Sequence, residues 1–146
     1  MSLPDGRHFK VSAAACHDGT PYPEEWPDRW AASCGLADEC RDEWGGPLEA
    51  VSWYRSPAHN EALIKDDAAR GVHGVASGSE HVEGYAIDLR PIGGGDAGAL
   101  YRKLMRARAM GRLKSLGGIA LYPESNWVHV DTHQAPDGHL RRWTGR

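Results

Sequence analysis

Apolar positions recur at helical spacing in one early stretch. Trp30, Cys34, Ala37, Cys40 and Trp44 fall three or four residues apart, which predicts a helix from about Pro27 to Glu43 despite Gly35. Pro27 in the first turn and Gly45-Gly46 beyond the end are the expected punctuation. Residues 1–23 show no period, and Asp18-Gly19 with Pro21 and Pro23 reads as an arm with turns. Leu48 to Trp53 is a short strand. Ser56-Pro57 supplies an N-cap and a first-turn proline for a helix through about Arg70, stopped by Gly71, with a loop to Gly78. From Gly84 to Arg90 the period changes to two. Tyr85, Ile87 and Leu89 alternate with Gly84, Ala86 and Asp88, so Asp88 lies on the strand face away from the bulky apolar side chains.

After the Gly93-Gly94-Gly95 hinge, Asp96 caps a helix whose stripe is Leu100, Leu104, Ala107 and Gly111, and Gly117-Gly118 ends it. Gly118 to Tyr122 and Trp127 to Thr132 are strands around the turn Pro123-Glu124-Ser125-Asn126. In the second of these, Trp127, His129 and Asp131, with His133 beyond, share one side, and Val128, Val130 and Thr132 the other. Helices interspersed with short strands predict an α+β fold, a small antiparallel sheet flanked by helices.

A chain of 146 residues makes one domain, 1–146, and 40% hydrophobic with 25% charged residues is a globular composition. A core of that size folds without a metal, so any metal site calls for a functional reason. The formal net charge of −3 does not suggest a nucleic-acid partner. Arg102 to Lys114 carries six basic residues and no acid, which reads as the solvated side of the helix placed there. No apolar run approaches the roughly 18 residues of a membrane helix, and the start Met-Ser-Leu-Pro-Asp-Gly does not read as a signal peptide. Cys16, Cys34 and Cys40 have no zinc-finger spacing and read as reduced thiols, with a Cys34–Cys40 bridge as the alternative. Trp30, Trp44, Trp53 and Trp143 read as core or groove-lining aromatics, and His8, His17, His59, His73 and His139 as background. Cys16-His17 alone is weak as a metal pair, since it has no partners at finger spacing.

The chemistry concentrates elsewhere. His81 stands just before a strand, Asp88 within it, and His129 on another strand. Two imidazoles and a carboxylate suffice for a catalytic zinc that keeps one position for water, lowers that water's pKa and polarises a carbonyl. His129-Val130-Asp131 also has the form of an iron facial-triad pair, but such a pair is followed by a distal histidine many residues on, and only His133 and His139 remain downstream.

The string Ser79-Glu80-His81-Val82-Glu83-Gly84-Tyr85-Ala86-Ile87-Asp88, followed by Gly117-Gly118-Ile119-Ala120-Leu121-Tyr122-Pro123 and Trp127-Val128-His129-Val130-Asp131-Thr132, resembles the M15 family of zinc D-alanyl-D-alanine peptidases, in its small bacterial and phage M15A-type branch. His8 to Ser12, Ala15 to Thr20, Gly45 to Leu48 and Ser52 to Asn60 resemble it in the same order. The resemblance implies a Hedgehog/DD-peptidase fold with one zinc (Zn2+) held by His81, Asp88 and His129, and Arg55 and Ser79 as substrate-holding residues. A guanidinium fork suits a peptide carboxylate. Many members carry Glu or Asp three residues before the last histidine as general base, where this chain has Asn126, which cannot take a proton at useful pH. Asp131 is the nearest replacement; it could equally be a carboxylate that orients a ligand, and Glu124 and His133 rank lower. The implied activity is hydrolysis of a peptidoglycan stem peptide or cross-bridge, as carboxypeptidase or endopeptidase, reached by lysis or as a virion component. A non-catalytic module of the same fold among virion proteins is the alternative.

Overall fold

The computed structural model describes residues 2–71 and 79–145. The loop expected through Gly78, with His73, falls mostly at 72–78, outside the described residues. A 3-10 turn at Val11–Ala14 precedes α1 (Pro27–Trp44), β1 (Leu48–Ser52), α2 (Pro57–Ala69), β2 (Ala86–Pro91), α3 (Ala97–Ala109), β3 (Gly118–Tyr122), β4 (Trp127–Asp131) and β5 (Arg141–Thr144). The strands form one sheet in the order β1-β2-β4-β3-β5. The α+β class is as the sequence predicts, with one addition. β5 lies parallel to β3, whereas the other pairings are antiparallel, so the sheet is mixed.

Local signals set the element ends. The Ser56 hydroxyl accepts the His59 amide at 3.1 Å, and Asp96 Oδ1 accepts the Ala99 amide at 2.6 Å. Gly45 closes α1 at φ 79°, a left-handed conformation that glycine adopts without steric cost. The stripe on α3 is Ala97, Leu100, Leu104 and Ala107; Gly111 lies beyond the helix end and is exposed. The basic residues of this region stay at the surface, where Lys103 donates to the Trp44 carbonyl and Arg112 pairs with Glu43.

The sheet has two differently used faces. Ile87, Leu89, Ile119, Val128 and Val130 are wholly buried, and α3 packs against β2, β3, β4 and α1. At the other end of the core, Trp30 lies 5.1 Å from Trp53 and Phe9 5.8 Å from it. The N-terminal arm is tied down by Trp30 Nε1, which donates to the Pro4 carbonyl at 2.8 Å, and by Asp38, which accepts the amides of Arg7 and His8. Trp44 is only partly buried, and Trp143 is 37% exposed rather than a core residue. All three cysteines are free and buried. Cys34 and Cys40 are separated along one helix by about 9 Å of rise, too far for a disulfide. No helix among the described residues is long and apolar enough to cross a membrane.

Leu104 is fully enclosed between α3 and the sheet. Leu104→Ala is expected to lower unfolding stability by about 2–5 kcal/mol in denaturant titration, and Met110→Ala, at an exposed site, to leave it nearly unchanged.

Candidate metal centre

Strand register builds the site in two adjacent rows. Ser52, Asp88, His129, Ala120 and Trp143 are successive cross-strand partners from β1 to β5. The next row is Ala86, Asp131, Gly118 and Arg141. Cross-strand partners project from the same sheet face, so the first row sets Asp88 beside His129. His81 joins them from the turn before β2. Its Nε2 is 3.2 Å from Asp88 Oδ2, and His129 Nδ1 is 3.4 Å from Asp88 Oδ1. The three side chains are buried, with donor atoms within 4.8 Å of one another.

Hydrogen bonds decide which imidazole nitrogens face inward. His81 Nδ1 lies 2.7 Å from the Trp53 carbonyl, a pure acceptor, so Nδ1 carries the proton and Nε2 presents its lone pair to Asp88. His129 Nε2 lies 2.7 Å from Asp131 Oδ2 and donates to that carboxylate, leaving Nδ1 to face Asp88. Two lone pairs and a carboxylate then converge on one point, an arrangement that requires a cation or extra protons between them. Asp88 Oδ1 is buried and has no hydrogen-bond partner among the described residues. The 3.2 and 3.4 Å separations, one to each Asp88 oxygen, are close to the edge of about 3.4 Å expected between N and O ligands of tetrahedral zinc. On donor type, spacing and this orphaned oxygen, the trio fits zinc.

Charge follows the same geometry. Burial pushes the Asp88 carboxyl up, but the two imidazoles prevail and hold it well below the usual carboxylate range. Burial would lower His129; Asp131 and Asp88 overcome it and raise its pKa to about 9. Asp131 is held below its ordinary value, since His129 and Arg141 outweigh its burial.

Asp131 is fully buried. Oδ2 accepts from His129, and Oδ1 accepts the His133 amide at 3.0 Å and a short bond from Arg141. Arg141 reaches it across Gly118, where a Cβ would stand 2.5 Å from Asp131 Oδ2 and 2.6 Å from the Arg141 guanidinium. Position 118 thus has to be glycine for this contact to form. Asn126 has a left-handed φ of 58°, and its side-chain oxygen accepts the Ala97 amide at 2.8 Å, fastening the β3–β4 turn to the start of α3. Glu124 is exposed in the same turn, and His133 pairs with Glu80 at 2.6 Å.

Arg55 and Ser79 do come together beside His81. The Arg55 guanidinium lies 3.5 Å from Ser79 Oγ and 3.1 Å from Asn60 Oδ1, and Ser79 Oγ accepts the His81 amide at 3.2 Å. Burial depresses the Arg55 pKa, partly offset by the Asp88 charge. A cavity of about 210 Å³ is lined by Arg55, Tyr54, Asp88 and Trp127. On the opposite side the Trp143 ring is 4.9 Å from His129, and its Nε1 donates to the Tyr122 hydroxyl at 3.3 Å. Sequence reading passed over Arg141 and gave Trp143 no place beside His129. Their shared parity in Arg141-Arg142-Trp143-Thr144 was the available signal, four residues long and half arginine.

The fold and site define a small α+β domain with a buried two-imidazole, one-carboxylate centre of the type used for metal-assisted hydrolysis. The M15_2 peptidase family, described as peptidoglycan L,D-endopeptidase MepK, matches residues 39–143, and the chain belongs to this family. It is 33% identical to the probable peptidoglycan L,D-endopeptidase MepK of Haemophilus influenzae over 98 residues, 67% of this chain and 43% of that protein. To the Escherichia coli K12 peptidoglycan L,D-endopeptidase MepK it is 35% identical over 97 residues, 66% of this chain and 43% of that protein. The chain therefore matches less than half the length of these curated relatives. No solved structure matches it significantly.

Below a pKa of about 9, His129 carries a proton that zinc has to displace. Zinc affinity is therefore expected to rise with pH through neutrality, and calorimetry at pH 7 to show proton release as a buffer-dependent enthalpy. Asp131→Asn and Arg141→Ala are each expected to weaken zinc binding roughly 10- to 100-fold in chelator competition. Unchanged affinity with lost turnover in Asp131→Asn would instead make Asp131 the proton acceptor.

Proposed function

We propose that this domain is a zinc-dependent peptidase that hydrolyses peptide bonds of bacterial peptidoglycan. The observation that carries the reading is the convergence of His81 Nε2 and His129 Nδ1 on Asp88, with both outer nitrogens committed as donors. His81, Asp88 and His129 would hold the zinc. Bound there, zinc supplies a hydroxide near neutral pH and polarises the scissile carbonyl.

The remaining roles fall to the chain's own groups. Arg55, half-buried and next to Ser79, offers a guanidinium to a carboxylate of the stem peptide, and the serine hydroxyl adds a hydrogen bond. Trp127 forms an apolar wall of the cavity that reaches Asp88. Asp131 serves as a positioning residue: it fixes the His129 tautomer and is itself held by Arg141, which accounts for its complete burial better than proton exchange with substrate does. Asn126 holds a turn and takes no part in proton transfer.

Choice of bond is a finer matter. The relatives' names support cleavage at an L,D bond within the peptide rather than removal of a terminal residue.

The test is digestion of purified muropeptides followed by mass spectrometry. New products are expected with the zinc protein, none after chelation, and recovery on adding zinc back. Arg55→Ala is expected to raise KM for carboxylate-bearing substrates more than it lowers kcat, with zinc content unchanged. A fully zinc-loaded protein that cleaves no muropeptide would leave a non-catalytic wall-binding module as the reading.

A further inference from the structure

A second group of metal-ligating side chains lies outside the centre just described. Cys16, Asp18 and His59 bring a thiol, a carboxylate and an imidazole within 4.8 Å of one another. Cys16 and Asp18 belong to a closed loop in which Cys16 N–H donates to the Thr20 carbonyl at 2.7 Å and Gly19 N–H to the Cys16 carbonyl at 2.9 Å. Gly19, at φ 93°, permits the turn. His59 comes from the first turn of α2, 40 or so residues further on, so only the fold assembles the trio.

The neighbours orient these groups as a metal site's surroundings do. Asp18 accepts the Ser56 hydroxyl on Oδ2 at 2.6 Å and the Thr20 amide on Oδ1 at 2.9 Å. Each oxygen keeps a second lone pair, and these bonds hold the carboxyl well below its usual range, so it is ionised at neutral pH. The Ser56 amide at the start of α2 donates to Cys16 Sγ at 3.4 Å, and the Cys16 thiol lies 3.9 Å from Ser56 Oγ, so the sulfur is held at the mouth of α2. His17, the histidine adjacent in sequence, is committed elsewhere through Nε2 to the Val51 carbonyl at 2.8 Å. The imidazole that completes the group is His59.

We infer that Cys16, Asp18 and His59 form a second transition-metal site, of zinc type, that fastens the 16–20 loop to the start of α2. A mixed sulfur, nitrogen and oxygen set is selective for zinc-class ions over magnesium or calcium. Tetrahedral zinc needs its ligand atoms about 3.5 Å apart, and the three here already lie within 4.8 Å of one another. Cys16 and His59 also line the cavity that reaches Asp88, so this ion would stand in the wall of the substrate groove.

Cobalt reports thiolate ligation directly, because sulfur-to-cobalt charge transfer absorbs in the near ultraviolet and the His–Asp–His centre has no sulfur. The full chain, stripped with chelator, is titrated with Co2+ and followed by absorption and native mass spectrometry. Two ions per chain are expected, one accompanied by the thiolate band. Cys16→Ser and His59→Gln should each lose the band and one ion, with the fold checked by circular dichroism. His81→Ala should lose one ion and keep the band. The inference is overturned if wild-type protein shows no thiolate band, or if the band survives both Cys16→Ser and His59→Gln. A band unaffected by His81→Ala, with only one ion bound to the wild type, would uphold this site while removing the other.

Discussion

The rest of the structure depends on a carboxylate withdrawn almost entirely from water. Asp88 sits mid-strand on an interior strand of the sheet, and two imidazoles turn ring nitrogens toward it. Burying such a charge costs several kcal/mol unless it is compensated. Within the domain the compensation comes from the imidazoles, and Asp88 Oδ1 has no hydrogen-bond partner among the described residues. A divalent cation satisfies all three groups at once. Much of the surrounding architecture keeps them from turning away.

Each imidazole is held from a different direction. The aromatic core around Trp30, Trp53 and Phe9 fixes the Trp53 carbonyl, and that carbonyl sets the orientation of His81. On the other side, β5 brings Arg141 over Gly118 to Asp131, and Asp131 sets His129. Core packing and sheet topology thus end in the placement of two ring protons. A short parallel edge strand, energetically minor as a strand, matters here for what it carries.

The shared face of Asp88 and His129 was legible in the sequence because strand alternation is strict, whereas His81, in the turn before β2, has no such alternation to place it. Ile87 and Leu89 had to face the core, so Asp88 had to face away, and Val128 and Val130 placed His129 on the matching side. Arg55 and Ser79 were legible only through family resemblance, since nothing local announces that a residue before α2 meets one before β2. The roles of Asn126 and Asp131 were less accessible. A left-handed backbone turns Asn126 onto the α3 amide, and whether Asp131 exchanges protons or orients a ring depends on burial and on Arg141, neither of which alternation encodes. Cys16 and His59 meet only through packing of the N-terminal loop on α2.

The most direct test of the central claim is a crystal structure of the zinc-loaded protein with anomalous data collected at the zinc absorption edge. The account predicts a peak about 2.0–2.2 Å from His81 Nε2, an Asp88 oxygen and His129 Nδ1, with His129 Nε2 still bonded to Asp131. No peak between these three residues, or zinc bound through His129 Nε2 with Asp131 displaced, would contradict it.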